Sequence, residues 1–288
     1  MLGGDLPIGR VGFGAADIVG HKAWGPAPDP EASGSLLRAV LDAGINYIDV
    51  ADAHGPHYAE QLIRDTLKPY PDSLVVGTKG GMTRGGPDIW GVLGRPEYLT
   101  QALEFSLRNL GVERIDLYQL HRIDRQVPLA DQVGTLAELQ RQGKIRHIGL
   151  SEVTVEQLTA AREIVEIVSV QNHYHLGDRT FEAVIDEAER LGIAFIPFFP
   201  FGHRALLEPG TGFAPLAEKY GISVPQLILA WLLQRSPVVV PIPGSSNPAH
   251  LRANARAGEI TLSQEDYDAV DAIGLHLQEL TPPRVFTM

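Results

Sequence analysis

The 288-residue chain contains no cysteine, so disulfides, thiolate nucleophiles and cysteine-based metal sites are excluded. It also lacks any run of about 18 apolar residues, so no membrane span is expected. Its start, Met1-Leu2-Gly3-Gly4-Asp5-Leu6, has neither the basic stretch nor the apolar core of a secretory leader, and a cytoplasmic location is expected. Concentrated Lys/Arg is missing too. The formal net charge of −11 repels phosphate backbones and argues against a nucleic-acid partner. What is present, 44 % apolar and 20 % charged residues, suits a soluble protein with a large core. No linker or low-complexity tract divides residues 1–288, so one domain is expected.

A helix–glycine–strand unit recurs along the chain. Leu36, Leu37, Val40 and Leu41 form a helical stripe before Gly44 and the strand pattern Ile45 to Asp49. Leu99, Ala102, Leu103, Leu107 and Leu110 precede Gly111 in the same way, Val133 to Leu139 precede Gly143, and Phe181 to Leu191 precede Gly192. A glycine just past a helix takes the left-handed conformation that stops it. Eight strand candidates follow, near 11–14, 47–49, 74–78, 117–120, 147–150, 168–171, 194–197 and 238–241. This α/β alternation predicts a TIM (β/α)8 barrel. Gly12-Phe13-Gly14 reads as a tight turn, because a dinucleotide fingerprint needs glycine where Asp17 stands. Long loops are expected at 21–30, 80–96 and 201–215. Each follows a strand, so all three should rise from the C-terminal face, where barrel sites are built.

Chemistry-bearing residues gather at the expected strand ends. Asp49-Val50-Ala51-Asp52-Ala53-His54-Gly55-Pro56 ends the second strand, Lys79 the third, and His121 the fourth. Asp49 and Lys79 can form a buried ion pair, which alone would read as structural. The three residues in register favour catalysis. His54-x-x-His57 and His173-Tyr174-His175 lack a carboxylate partner at zinc spacing, so no metal is expected.

With His147-Ile148-Gly149-Leu150-Ser151, Val170-Gln171-Asn172 and Ile242-Pro243-Gly244-Ser245-Ser246, this order of segments resembles the aldo-keto reductase family, bacterial short form, from about residue 11 to 254. Residues 196–202 and 230–236 are similar to the pyridoxal reductase branch. The resemblance implies an Asp, Tyr, Lys, His tetrad that reduces carbonyls with NADP(H). In it the Lys lowers the pKa of the Tyr and the His orients the substrate oxygen. Asp49, Lys79 and His121 match, but His54 stands at the Tyr position. A neutral imidazole donates a hydrogen bond yet is a poor acid, whereas an imidazolium is a competent one. Lys79 disfavours the protonated form and Asp49 favours it. Tyr58 is a substitute donor candidate.

The same resemblance places Ser151 and Gln171 on the nicotinamide carboxamide, with Glu152 in place of a common Asn, and Phe198 on the ring. Gly244, Ser245, His250 and Arg252 would hold the adenosine 2′-phosphate near a helix beginning at about 248, and Asn254 the adenine. Trp24 and Trp90 are candidates to sandwich a flat substrate. The expected function is NADPH-dependent reduction of a small aldehyde or ketone, pyridoxal included. An imine or iminium reductase, which needs less acid catalysis, and a cofactor-binding regulatory protein of low turnover are the alternatives.

Overall fold

A computed structural model describes residues 1–280. Its strands are β1 (Phe13–Gly14), β2 (Tyr47–Asp49), β3 (Val75–Gly80), β4 (Met82–Gly86), β5 (Ile89–Val92), β6 (Ile115–Leu120), β7 (Ile145–Ser151), β8 (Ile167–Gln171) and β9 (Ala194–Phe195). Seven of them form one parallel sheet in the order β1-β2-β3-β6-β7-β8-β9. The segment 238–241 closes the ring. Val240 N–H donates to Phe195 O at 2.8 Å, and Gly12 N–H donates to Pro241 O at 2.9 Å. Only a single parallel bridge, Phe195 to Val239, registers there as sheet. Pro237, Pro241 and Pro243 remove the donors that a full ladder would need. The barrel is therefore built as the sequence indicates, with a proline-thinned eighth strand.

In place of the tight turn expected at Gly12-Phe13-Gly14, Gly12 leads directly into the two-residue strand β1. A Cβ on Gly14 would stand 2.7 Å from Ile242 O, and one on Gly12 would stand 2.6 Å from the Tyr47 ring. Glycine is used here for close approach of backbones at the seam of the barrel.

Helices α1 (Pro30–Asp42), α2 (Tyr58–Leu67), α3 (Pro96–Leu110), α4 (Leu129–Arg141), α5 (Val155–Arg162) and α6 (Glu182–Leu191) alternate with the strands. After them come α7 (Ala214–Lys219), α8 (Val224–Arg235), α9 (Pro248–Ala255) and α10 (Gln264–Leu280). Gly111 and Gly192 end α3 and α6 at φ +66° and +67°, the left-handed stop expected of them. Leu99, Leu103, Leu136, Ile185 and Leu229 are buried in the large apolar layer of the fold. At about 1.5–3 kcal/mol per fully buried large apolar side chain, such a layer carries much of the driving force for folding.

A second cluster holds Leu2, Leu6, Tyr47, Val75, Leu117, Val168, Ile196, Val240 and Ile242. Its strand residues share one face with the polar groups that continue toward the C-terminal ends, because side chains alternate along a strand: Tyr47 with Asp49, Leu117 with Gln119, and Val75 with Lys79. Apolar filling thus gives way to chemistry at one end.

Residues 80–96, expected as a loop, form the antiparallel hairpin β4–β5 with Arg84 opposite Trp90. Its Gly-rich composition suggests irregular chain, yet short side chains also permit tight cross-strand pairing. The 201–215 segment is irregular apart from a single 3-10 turn, Ala205–Leu207, and the start of α7.

Candidate active site

Asp49 is the hub of the strand-end cluster. Its Oδ1 accepts from Lys79 Nζ at 2.6 Å. Its Oδ2 accepts from Tyr47 OH at 3.0 Å, Gln171 Nε2 at 2.8 Å and Gln119 Nε2 at 3.3 Å. Lys79 also donates to Val50 O at 2.8 Å. Asp49 and Lys79 are both buried, which satisfies the rule that buried charges come paired and hydrogen-bonded. Burial pulls the Lys79 pKa down, and Asp49 opposes that fall. Tyr47 is held well above the ordinary phenol value by burial first, then by the Asp49 charge. Tyr47 and Gln119 escaped the sequence reading because neither lies in a recognised motif. Stepping two residues back from Asp49 and from His121 finds both.

His54 and His121 face each other edge-on, with ring centroids 6.4 Å apart. In each ring Nδ1 is sealed from solvent without a hydrogen-bond partner, so Nε2 is the nitrogen left to meet a ligand. Burial, then Lys79 and Arg84, lower the His54 pKa to about 3. His121 is lowered well below the ordinary value by burial, with Arg122 and Lys79 adding to it. The opposing pulls on His54 are thereby decided: both rings are neutral at physiological pH. A bare Nδ1 lone pair is cheaper to seal away than an unmet N–H, so burial favours the tautomer with its proton on Nε2.

Arg84 fastens the hairpin over this corner. It donates to the carbonyls of Ala23, Ala53, Lys22, Gly86 and Pro87 at 2.8–3.3 Å. Its guanidinium lies 3.5 Å from the Trp90 ring centroid and 5.4 Å from that of Trp24. Lys22 pairs with Asp88 beside it. The two indoles, expected to sandwich a flat substrate, pack on a cation of the chain, because a guanidinium is attracted to their negative faces. Tyr58, the first residue of α2, is 46 % exposed, and nothing in its contacts ties it to the imidazole pair.

Beneath the hairpin lies a cavity of about 200 Å³, lined by Asp52, His57, Met82, Arg84 and Tyr98 among others. Asp52 Oδ1, His57 Nδ1 and Arg84 Nε are sealed from solvent without a hydrogen bond, and His57 Nδ1 lies 3.7 Å from Glu60 Oε2. Burial, then the Glu60 charge, raise Asp52 well above the usual carboxylate range.

The expected cofactor contacts fall into two groups. At the barrel mouth Ser151 Oγ accepts from Arg122 Nη1 at 3.0 Å, and Arg122 also donates to His121 O at 2.6 Å. Arg122, unforeseen from the sequence, has no ion-pair partner among the described residues and lies 5.8 Å from the Phe198 ring. Gln171 gives one N–H to Asp49, so its oxygen and its second N–H remain for a carboxamide. Phe198 packs on the barrel interior and against His173 and Phe199. Glu152 sits at φ +55°, a conformation that Asn tolerates better than Glu, while its Oε1 accepts from His173 N–H at 2.6 Å.

Around α9 the second group is more open. Ser245 Oγ accepts from Asn247 N–H at 3.1 Å, and Asn247 Oδ1 caps the helix through Ala249 N–H at 2.9 Å. Gly244 approaches Asp17 and Gly14 so closely that a Cβ would stand 3.4 Å from each. His250 and Arg252 are exposed, and neither has an ion-pair partner among the described residues. Asn254, expected on the adenine, is buried near the end of α9. No group of three or more His, Asp or Glu among the described residues is placed to hold a metal. No described helix is long and apolar enough to cross a membrane.

Comparisons with known proteins agree with this fold. Over 276 residues the chain is 40 % identical to pyridoxine 4-dehydrogenase of Escherichia coli, a span of 94 % of this chain and 96 % of the relative. An uncharacterized oxidoreductase of Schizosaccharomyces pombe is 44 % identical over 271 residues, 94 % of this chain and 88 % of that one. The crystal structure of an aldo-keto reductase from Klebsiella pneumoniae in complex with NADPH matches the fold with a TM-score of 0.80 at 25 % identity, covering 100 % of this chain and 96 % of that one. With the family's sequence profile matching residues 10–274 as well, the chain belongs to the aldo/keto reductase family.

Proposed function

We propose that this chain is an NADP(H)-dependent oxidoreductase of small aldehydes or ketones in which a neutral His54 donates a hydrogen bond where a phenol is usual. The observation that carries the reading is the Asp49–Lys79 pair at 2.6 Å, set at strand ends beside two imidazoles 6.4 Å apart. The nicotinamide, when bound, supplies or accepts the hydride. Residues of the chain suit such a group: a hydroxyl at Ser151, a free amide oxygen at Gln171, an aromatic face at Phe198, and a cation without a partner at Arg252 for the 2′-phosphate that separates NADP from NAD. The relative crystallised with NADPH supports the same cofactor here.

Charge develops on the substrate oxygen as hydride reaches carbon. His54 and His121 each offer an Nε2–H toward that oxygen, and Lys79 adds a positive field that Asp49 keeps buried and in place. The arrangement resembles an oxyanion hole more than an acid. An iminium substrate is disfavoured, because Arg84, Arg122 and Lys79 would repel a positive charge. The name of the Escherichia coli relative supports pyridine-ring aldehydes such as pyridoxal as first candidates.

Single-turnover oxidation of bound NADPH over a panel of aldehydes, ketones and imines tests the reading. Oxidation by at least one carbonyl compound is expected. Tight NADPH binding with no oxidation by any acceptor would replace it with a regulatory role.

A further inference from the structure

The chain carries a net charge of −11, yet the surroundings of the imidazole pair are cationic: Arg122, Lys79 and Arg84 all act on His121. The chain itself answers two of these charges. Lys79 is paired with Asp49, and Arg84 is capped by five carbonyls. Arg122 differs. Its Nη1 donates to His121 O and to Ser151 Oγ, which accounts for both N–H bonds of that nitrogen. Its Nε and Nη2 make no hydrogen bond within the described residues, and neither is sealed from solvent. Glu152, just past β7, acts on the guanidinium from a distance without forming an ion pair, and its Oε1 accepts from the His173 N–H.

In an arginine, Nε and Nη2 lie along one edge, and their parallel N–H bonds match the two oxygens of a carboxylate. We infer that Arg122 is a specificity-determining residue whose free edge receives a carboxylate of the substrate, so that the site selects aldehydes and ketones bearing such an anionic arm. This deepens the proposed function and rests on it. The half-buried guanidinium is held in place for that task, tied to the backbone of His121 and to Ser151, with the Phe198 ring centroid 5.8 Å away. A cation partly withdrawn from water without a counter-ion is costly. An incoming carboxylate relieves that cost, and a neutral group of similar shape does not. The arm takes no part in the chemistry. It anchors the substrate while the carbonyl oxygen meets the imidazole N–H groups.

The test compares 3-formylbenzoate and 4-formylbenzoate with their methyl esters, in the native chain and in Arg122→Gln, each loaded with NADPH. Taking the ratio between the two proteins cancels the intrinsic reactivity of the aldehydes. For at least one ring position, the native acid-to-ester ratio of kcat/KM should exceed the Arg122→Gln ratio by at least about tenfold, the effect of a single charge-assisted hydrogen bond. Equal ratios at both positions overturn the inference alone. So does a variant that loses NADPH affinity while the ratio holds, since Arg122 then serves the cofactor. No turnover of any aldehyde by the native chain overturns the proposed function and the inference with it. One readout needs no variant. In the native chain the acid-to-ester ratio, divided by the same ratio for borohydride reduction, should differ between the two ring positions, because a fixed fork is reached better from one of them. The same value at both shows a diffuse positive field and overturns the inference.

Discussion

His54 couples stability to pH. In the unfolded chain it titrates near ~6.5, whereas in the fold its pKa lies at about 3. Between these values the unfolded state holds a proton that the folded state does not. Stability is therefore full above the unfolded pKa and is lost as pH falls toward the folded one. His121 is lowered as well and adds to the same slope. Urea midpoints should drop from pH 6.5 to 4, and less steeply in His54→Gln. A slope unchanged by that substitution contradicts a buried neutral imidazole. The rate with an aldehyde that carries no ionisable group should stay level from pH 5 to 8, whereas a step near 6.5 would show an ordinary imidazole at work. Lys79→Met strands the Asp49 carboxylate inside the barrel. Loss of one partner of a buried pair costs about 3–5 kcal/mol, so denaturant titration should show a large destabilisation, and NADPH oxidation should fall by at least about 100-fold if Lys79 belongs to the oxyanion field. Asp49, His54, Lys79 and His121 were legible because they stand in short motifs at strand ends. Arg122 and Asp52 were not, since only three-dimensional placement reveals that a cation or carboxylate is buried.

At the scale of elements, the β4–β5 hairpin hangs on Arg84. Arg84→Ala removes five carbonyl contacts and the support of two indoles. Amide hydrogen exchange across residues 82–92 should quicken by about tenfold or more, equivalent to about 1.4 kcal/mol of local opening, while β6 and β7 keep their protection. Uniform loss of protection would mean that Arg84 supports the whole barrel instead. At the seam, Gly14→Ala forces a methyl against Ile242 O, and overpacking of this kind costs about 1–3 kcal/mol. A lowered thermal midpoint is expected, and none at all would show that the seam yields freely. Helices were readable from their apolar stripes and terminal glycines. The hairpin was not, because glycine and proline signal irregular chain and pairing partners lie outside any local window. The first and eighth strands were placed correctly but overstated in regularity, since glycine and proline shorten the ladders there.

At the scale of the whole molecule, cofactor binding should raise the melting temperature in proportion to affinity. A ligand at 100 times its Kd adds about 2.7 kcal/mol. NADPH should stabilise more than NADH at equal concentration, and Arg252→Ala should narrow that difference. A larger shift with NADH would reverse the cofactor assignment. The barrel also binds its parts together through one charge. Asp49 belongs to β2 yet receives hydrogen bonds from Lys79 on β3, Gln119 on β6 and Gln171 on β8. Four staves of the cask thus share a single rivet. Any change at position 49 must be answered on all of them at once, so reactivity and architecture have little freedom to evolve apart.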